Sequence, residues 1–181
     1  MKHRRKSLGN ATLEFTLVGI PLVFVLISTI EMARGMWIYH TLAFAVREGV
    51  RYTIVRGQNS LVHPTYADVC NTIVKAGPGL IPADLNLTFT TQVGVQKPDG
   101  KSASVSTGPY QANSCAGGTW PPLGLSNQPG QVVGISATYP FQSAIAMFWP
   151  GAGQSVSATQ LTCNGPGTLC LPASSSEAMQ Y

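Results

Sequence analysis

Four cysteines, three histidines and one isolated glutamate are the side chains of this sequence best suited to chemistry. Cys70, Cys115, Cys163 and Cys170 all follow residue 57. They contain no C-x-x-C pair, and His63 is the only histidine near them in sequence, so a zinc site is disfavoured. An even cysteine count reads instead as a disulfide set, provided the segment lies outside the cytoplasm. Four cysteines allow three pairings. Cys163 and Cys170 flank Asn164-Gly165-Pro166-Gly167, a natural turn, which favours Cys163–Cys170 together with Cys70–Cys115. Catalytic groupings are weaker still. His3 sits in a basic tail, His40 in a helical pattern and His63 directly before Pro64. No nucleophile motif flanks any of them. Asp68, Asp84 and Asp99 are scattered and read as turn or surface residues. Gly77-Pro78-Gly79 is a turn and not a phosphate loop. The expectation is a protein that is not an enzyme and holds no cofactor or metal.

The glutamate is more informative. Glu14 stands at the start of an apolar run, where a carboxylate is costly in lipid and is usually paired or functional. Ahead of it lie Lys2, Arg4, Arg5 and Lys6, which alone equal the chain's net charge of +4. The basic residues therefore form a short tail and not a folded face, which argues against nucleic acid as a partner. Residues 15–30 carry no charge and are apolar on all sides, and a bilayer span takes about 20 residues. A basic block before such a run places the N-terminus in the cytoplasm and the rest of the chain outside. Membrane lipid is thus an expected partner. A cleaved secretory signal fits less well, because Ala33 and Gly35 offer a poor cleavage site just after the run and the helical pattern continues past them.

From residue 31 to 56 that pattern becomes amphipathic. Met36, Tyr39, Ala43, Val46, Val50 and Ile54 recur every three or four residues and predict a buried stripe. Glu31–Arg34 and Glu48–Arg51 are spaced for pairing on the other side. Residues 10–56 read as one helix about 70 Å long, capped at Gly57 and kinked at Pro21, where the bond back to Leu17 is lost. Beyond Gly57 the texture changes, with 12 of the 13 prolines. A second helix is expected over 64–75. Strands are expected over 85–96 and 131–139, where apolar and polar residues alternate, with a weaker one over 154–162. The Gly-, Ser- and Pro-rich stretch 97–129 reads as a surface loop. The fold class is α+β, a long N-terminal membrane-spanning helix whose outer half packs on a small antiparallel sheet. Four regions follow: a leader at 1–9, a transmembrane helix at 10–30, its amphipathic continuation at 31–56, and a disulfide-containing β-rich domain at 57–181.

The string KHRRKSLG followed by NATLEFTLVGIPL resembles a type IV prepilin signal: a basic leader, Gly9, and Glu14 as the fifth residue after it. That resemblance implies cleavage between Gly9 and Asn10 by a prepilin peptidase. It also implies assembly contacts through Glu14 and Phe15. The segment from Asn10 to Gly57 is similar to the TadE family, the pseudopilins of tight-adherence (Flp) pilus systems. Ala11, Glu14, Phe15, Leu17 and Pro21 match its start. Glu31, Arg34, Ala45, Arg47, Glu48, Gly49, Arg51 and Tyr52 match its continuation. The resemblance implies a minor pilin in the bacterial inner membrane, single-pass, with its outer domain in the periplasm. Its partners would be the peptidase, other pseudopilins, the major Flp pilin and the inner-membrane assembly platform. Two rival expectations are a single-span anchor presenting a binding or adhesion domain, and an extracytoplasmic enzyme held by a signal anchor.

Overall fold

The computed structural model describes residues 8–57, 60–96, 102–115, 117–122, 128–143, 163 and 168–180. Helix α1 (Leu8–Ile54) runs unbroken for 47 residues, including through Pro21. It ends two residues before the expected Arg56. The carbonyl of Ile54 accepts from the Gln180 amide at 3.3 Å, and Arg56 N donates to Thr53 O. The chain's C-terminal segment therefore closes the helix where a glycine cap was expected.

Helix α2 (Tyr66–Ala76) follows, then strands β1 (Asn86–Gln96), β2 (Ser102–Gln111), β3 (Val132–Gln142) and β4 (Thr168–Ala178). The strands form one antiparallel sheet in the order β2-β1-β3-β4. One face of the sheet carries Leu87, Phe89, Val133, Ile135 and Ala137, all buried, and is covered by α1 and α2. This is the expected α+β arrangement, and β1 and β3 lie where alternation placed them.

Two expectations are corrected. Residues 97–129 are not simply a surface loop. They include β2, paired to β1 from Asn86↔Gln111 to Gln96↔Ser102, and the fully buried Trp120. The Trp120 ring packs edge-on to Phe89 at 4.8 Å, and Tyr66 packs on Phe89 at 5.1 Å. β4 lies over residues that carried no strand signal, while the weak strand expected at 154–162 falls outside the described residues. β2 and β4 are the two sheet edges and hold Pro109 and Pro172, while the inner strand β3 holds Pro140 near its end, paired with Cys170. At Gly108, φ is +124° and an added Cβ would stand 2.8 Å from the Leu87 carbonyl oxygen, so only glycine fits the irregularity in register there.

The buried stripe of α1 is also rotated from the expected one. Ile38, Leu42, Ala45, Val46, Gly49, Val50, Thr53 and Ile54 are buried, while Met36 and Tyr39 are exposed. Val46, Val50 and Ile54 belong to both sets. Gly49 and Thr53 count as non-apolar in a pattern search, yet they face the core because small groups let α2 and the sheet come close.

Candidate anchoring and assembly site

The first half of α1 is the most unusual surface of the molecule. The apolar side chains from Leu13 to Ile30 stand 37–76% exposed, and none of the most apolar window is covered by the rest of the chain. Its hydroxyls are satisfied within the helix: Thr16 donates to Leu13 O, Ser28 to Phe24 O and Thr29 to Val25 O. These three hydroxyls are thus closed off within the helix, as a lipid-facing helix requires. Among the described residues, one helix is long and apolar enough to cross a bilayer, and it is near the N-terminus.

Glu14 lies in this exposed half, and no hydrogen-bond or ionic partner reaches it among the described residues. Phe15, beside it, is 76% exposed. Gly9 and Asn10 lie in the first turns of α1. Lys2, Arg4, Arg5 and Lys6 lie outside the described residues.

The second half of α1 has two unlike sides. Ala45 and Gly49 are buried against α2 and the sheet. A Cβ at Gly49 would meet Ile73 Cγ1 at 2.6 Å and Ile135 Cδ1 at 3.3 Å. Arg47 and Arg51 face outward, with Arg51 paired to Glu48 at 3.1 Å. Arg34 pairs with Glu31 at 3.6 Å, and Arg56 stacks on the Tyr52 ring at 3.8 Å. The run from Ala45 to Tyr52 thus combines a packing device with an exposed charged ridge.

Disulfides join Cys70 to Cys115 and Cys163 to Cys170, the pairing favoured by the turn argument. The first ties α2 to the segment after β2, and the second ties Cys163 to the start of β4. His40 is exposed on α1 beside Tyr39, whereas His63 Nδ1 is buried without a partner among the described residues. Asp68 proves to be more than a surface residue. Its carboxylate accepts from the Thr65 amide at 3.0 Å and the Thr65 hydroxyl at 2.7 Å, and its amide donates to Thr65 Oγ1. This reciprocal cap starts α2. The Thr65 hydroxyl first, and its amide second, hold the Asp68 carboxyl below the ordinary 3.8. The T-x-x-D spacing was a readable signal for it.

The molecule is thus a long apolar helix, bare of cover for half its length, with a small disulfide-bonded sheet packed on the other half. Residues 9–51 match the model of a family described as TadE-like protein. The match begins at Gly9, includes Glu14, and ends at Arg51 within the Ala45–Tyr52 run. It bears out the resemblance read from the sequence over that segment. No curated protein and no solved structure matches the chain at a significant level.

Proposed function

We propose that the chain is a pilin-like minor subunit of a tad/Flp-type pilus or secretion machine. A prepilin peptidase cuts it between Gly9 and Asn10, and it works by assembly, without catalysis or cofactor. The observation that carries this reading is that the family match starts at the residue before the expected cut and spans the one carboxylate of the bare helix. Cleavage frees an α-amino group on Asn10. The Glu14 carboxylate of a neighbouring subunit pairs with it as apolar helices gather in the membrane. The pair sets the axial register, because misregistered helices leave a charge unpaired in apolar surroundings. Other pseudopilins, the major Flp pilin and the inner-membrane assembly platform are the partners in this reading, and the outer domain is periplasmic.

Glu14→Ala separates this from a plain membrane anchor. For an anchor the change removes a costly charge and is neutral or improves insertion. For an assembling subunit it strands the neighbour's amine at a cost of about 3–5 kcal/mol. At about 1.4 kcal/mol per tenfold, association falls by about a hundredfold or more. Complementation of a deletion strain with Glu14→Ala is expected to give normal membrane levels and no surface pili. Normal piliation would favour the anchor.

A further inference from the structure

We infer that the globular domain is seated on the outer leaflet of the bilayer through an apolar collar around residues 32–39 of α1, and that phospholipid is its partner. The inference rests on the membrane span proposed above.

The span fixes the height of this collar. A hydrocarbon core about 30 Å thick takes about 20 helical residues. Counted from Asn10 the span ends at Ile30, and counted from Phe15, the start of the uncharged run, it ends at Arg34. The hydrocarbon boundary therefore falls between Ile30 and Arg34, within about a turn of Gly35, where the sheet begins. β3 runs down toward the membrane, and its Phe141 ring packs on Gly35, with Cζ 3.6 Å from where a Cβ would stand. On one flank the Trp37 indole rests on Gly79, whose added Cβ would stand 2.7 Å from Cη2, and Ile81 lies beside it. On the other flank a cleft of about 750 Å³ opens between α1 and β4, walled by Met32, Met36, Tyr39, Leu169 and Leu171. It reaches down to Ser28, inside the span, so an acyl chain can enter it from below.

These side chains are not spent on the core. Met36 is 57% exposed, Trp37 52%, Ile81 53% and Leu169 61%. Met36 also lines a groove with Met32, Phe24 and Val25, which joins this side to the bare apolar face below. The cleft's only carboxylate among the described lining residues, Glu31, is paired with Arg34. The Arg34 guanidinium stacks 5.3 Å from the centre of the Phe141 ring, and half of its side chain stays exposed, which leaves donors for a lipid phosphate. Aromatic rings, an arginine and aliphatic tips at one height are the chemistry of the headgroup layer.

The test uses the full chain in phosphatidylcholine–phosphatidylglycerol nanodiscs. In a Trp149→Phe background, Trp37→Phe supplies the signal of the buried Trp120 for subtraction. Trp37 is expected to be quenched by lipid spin-labelled near the headgroup, more weakly by lipid labelled at the bilayer centre, and little by aqueous iodide. Leu169→Ser with Ile81→Ser, both exposed positions, is expected to lower the headgroup quenching. Strong iodide quenching with no lipid quenching overturns the inference, because the domain then stands clear of the membrane. Shielding from iodide and lipid labels alike also overturns it, because protein then covers the collar. Phe24→Trp is the control for the span. If the centre label quenches it while Trp37 stays unquenched, the seat alone fails. If neither is quenched, the membrane reading fails as well.

Discussion

Gly49→Ala tests whether α1 and α2 touch through a bare glycine. The added methyl carbon would lie 2.6 Å from Ile73 Cγ1 and 2.8 Å from its Cδ1, with Ile135 Cδ1 at 3.3 Å. Ile73 and Ile135 are both fully buried, so neither has solvent into which to swing. Overpacking of this kind costs about 1–3 kcal/mol. Against it, Ala is better than Gly in a helix interior by about 0.8–1.0 kcal/mol. Overpacking is the larger effect, and a net loss of up to about 2 kcal/mol is expected. The assay is urea unfolding of the detergent-solubilised full chain, followed by fluorescence of the buried Trp120 in a background lacking Trp37 and Trp149. A double-mutant cycle with Ile73→Ala isolates the cause. Ile73→Ala alone leaves a cavity and costs about 2–5 kcal/mol. In that background Gly49→Ala is expected to be neutral or stabilising, because the atoms it would strike are gone. A Gly49→Ala chain at least as stable as the parent would refute the close approach. So would an equal loss in both backgrounds, since the harm would then not come from Ile73.

The two disulfides are expected to differ in weight. Loop-closure entropy gives about 4 kcal/mol for the 45-residue separation of Cys70–Cys115 and about 2 kcal/mol for the 7-residue separation of Cys163–Cys170. Paired serine variants under denaturant check the order, and a larger loss from the shorter loop would contradict it. Thr65→Ala removes the cap of α2 and is expected to cost about 1 kcal/mol, read in the same unfolding assay. Because the Asp68 carboxyl is lowered in the folded state, its contribution is complete above the ordinary value of 3.8 and is lost as pH falls through the lower native one. The difference between parent and Asp68→Asn should therefore narrow below that range, and a difference that grows with acid would reverse the sign.

Much of the architecture is legible in the sequence, and its failures have physical causes. The bare half of α1 is an uninterrupted apolar run, so its existence and extent follow directly. β1 and β3 are central strands with one buried face, and Leu85, Leu87, Phe89 and Val133, Ile135, Ala137 alternate accordingly. β2 and β4 escape the same search because they are edges. Ser102, Ser104 and Ser106 in one, and Ser174 and Ser176 in the other, present little apolar contrast. Trp120 lies in a segment of turn residues, and only the tertiary fold shows that it fills the core. The α1 stripe was displaced because Met36 and Tyr39 are apolar but face outward, whereas Gly49 and Thr53 face inward. Those outward side chains form the collar, which pattern reading alone assigns to the core. The site residues divide in the same way. The cysteine pairing follows from the turn between Cys163 and Cys170, while the tie between Thr65 and Asp68 is carried by a T-x-x-D spacing that a reading of Asp68 as a plain surface residue passes over.

The central claim is that the chain is a processed, assembling pilin-like subunit, and the mature N-terminus tests it most directly. Intact mass of the protein purified from membranes that contain active prepilin peptidase is the measurement. A chain beginning at Asn10 is predicted, with Gly9→Leu retaining the leader because cleavage needs a small residue at that point. A chain still carrying residues 1–9 in the presence of the active peptidase would contradict the account.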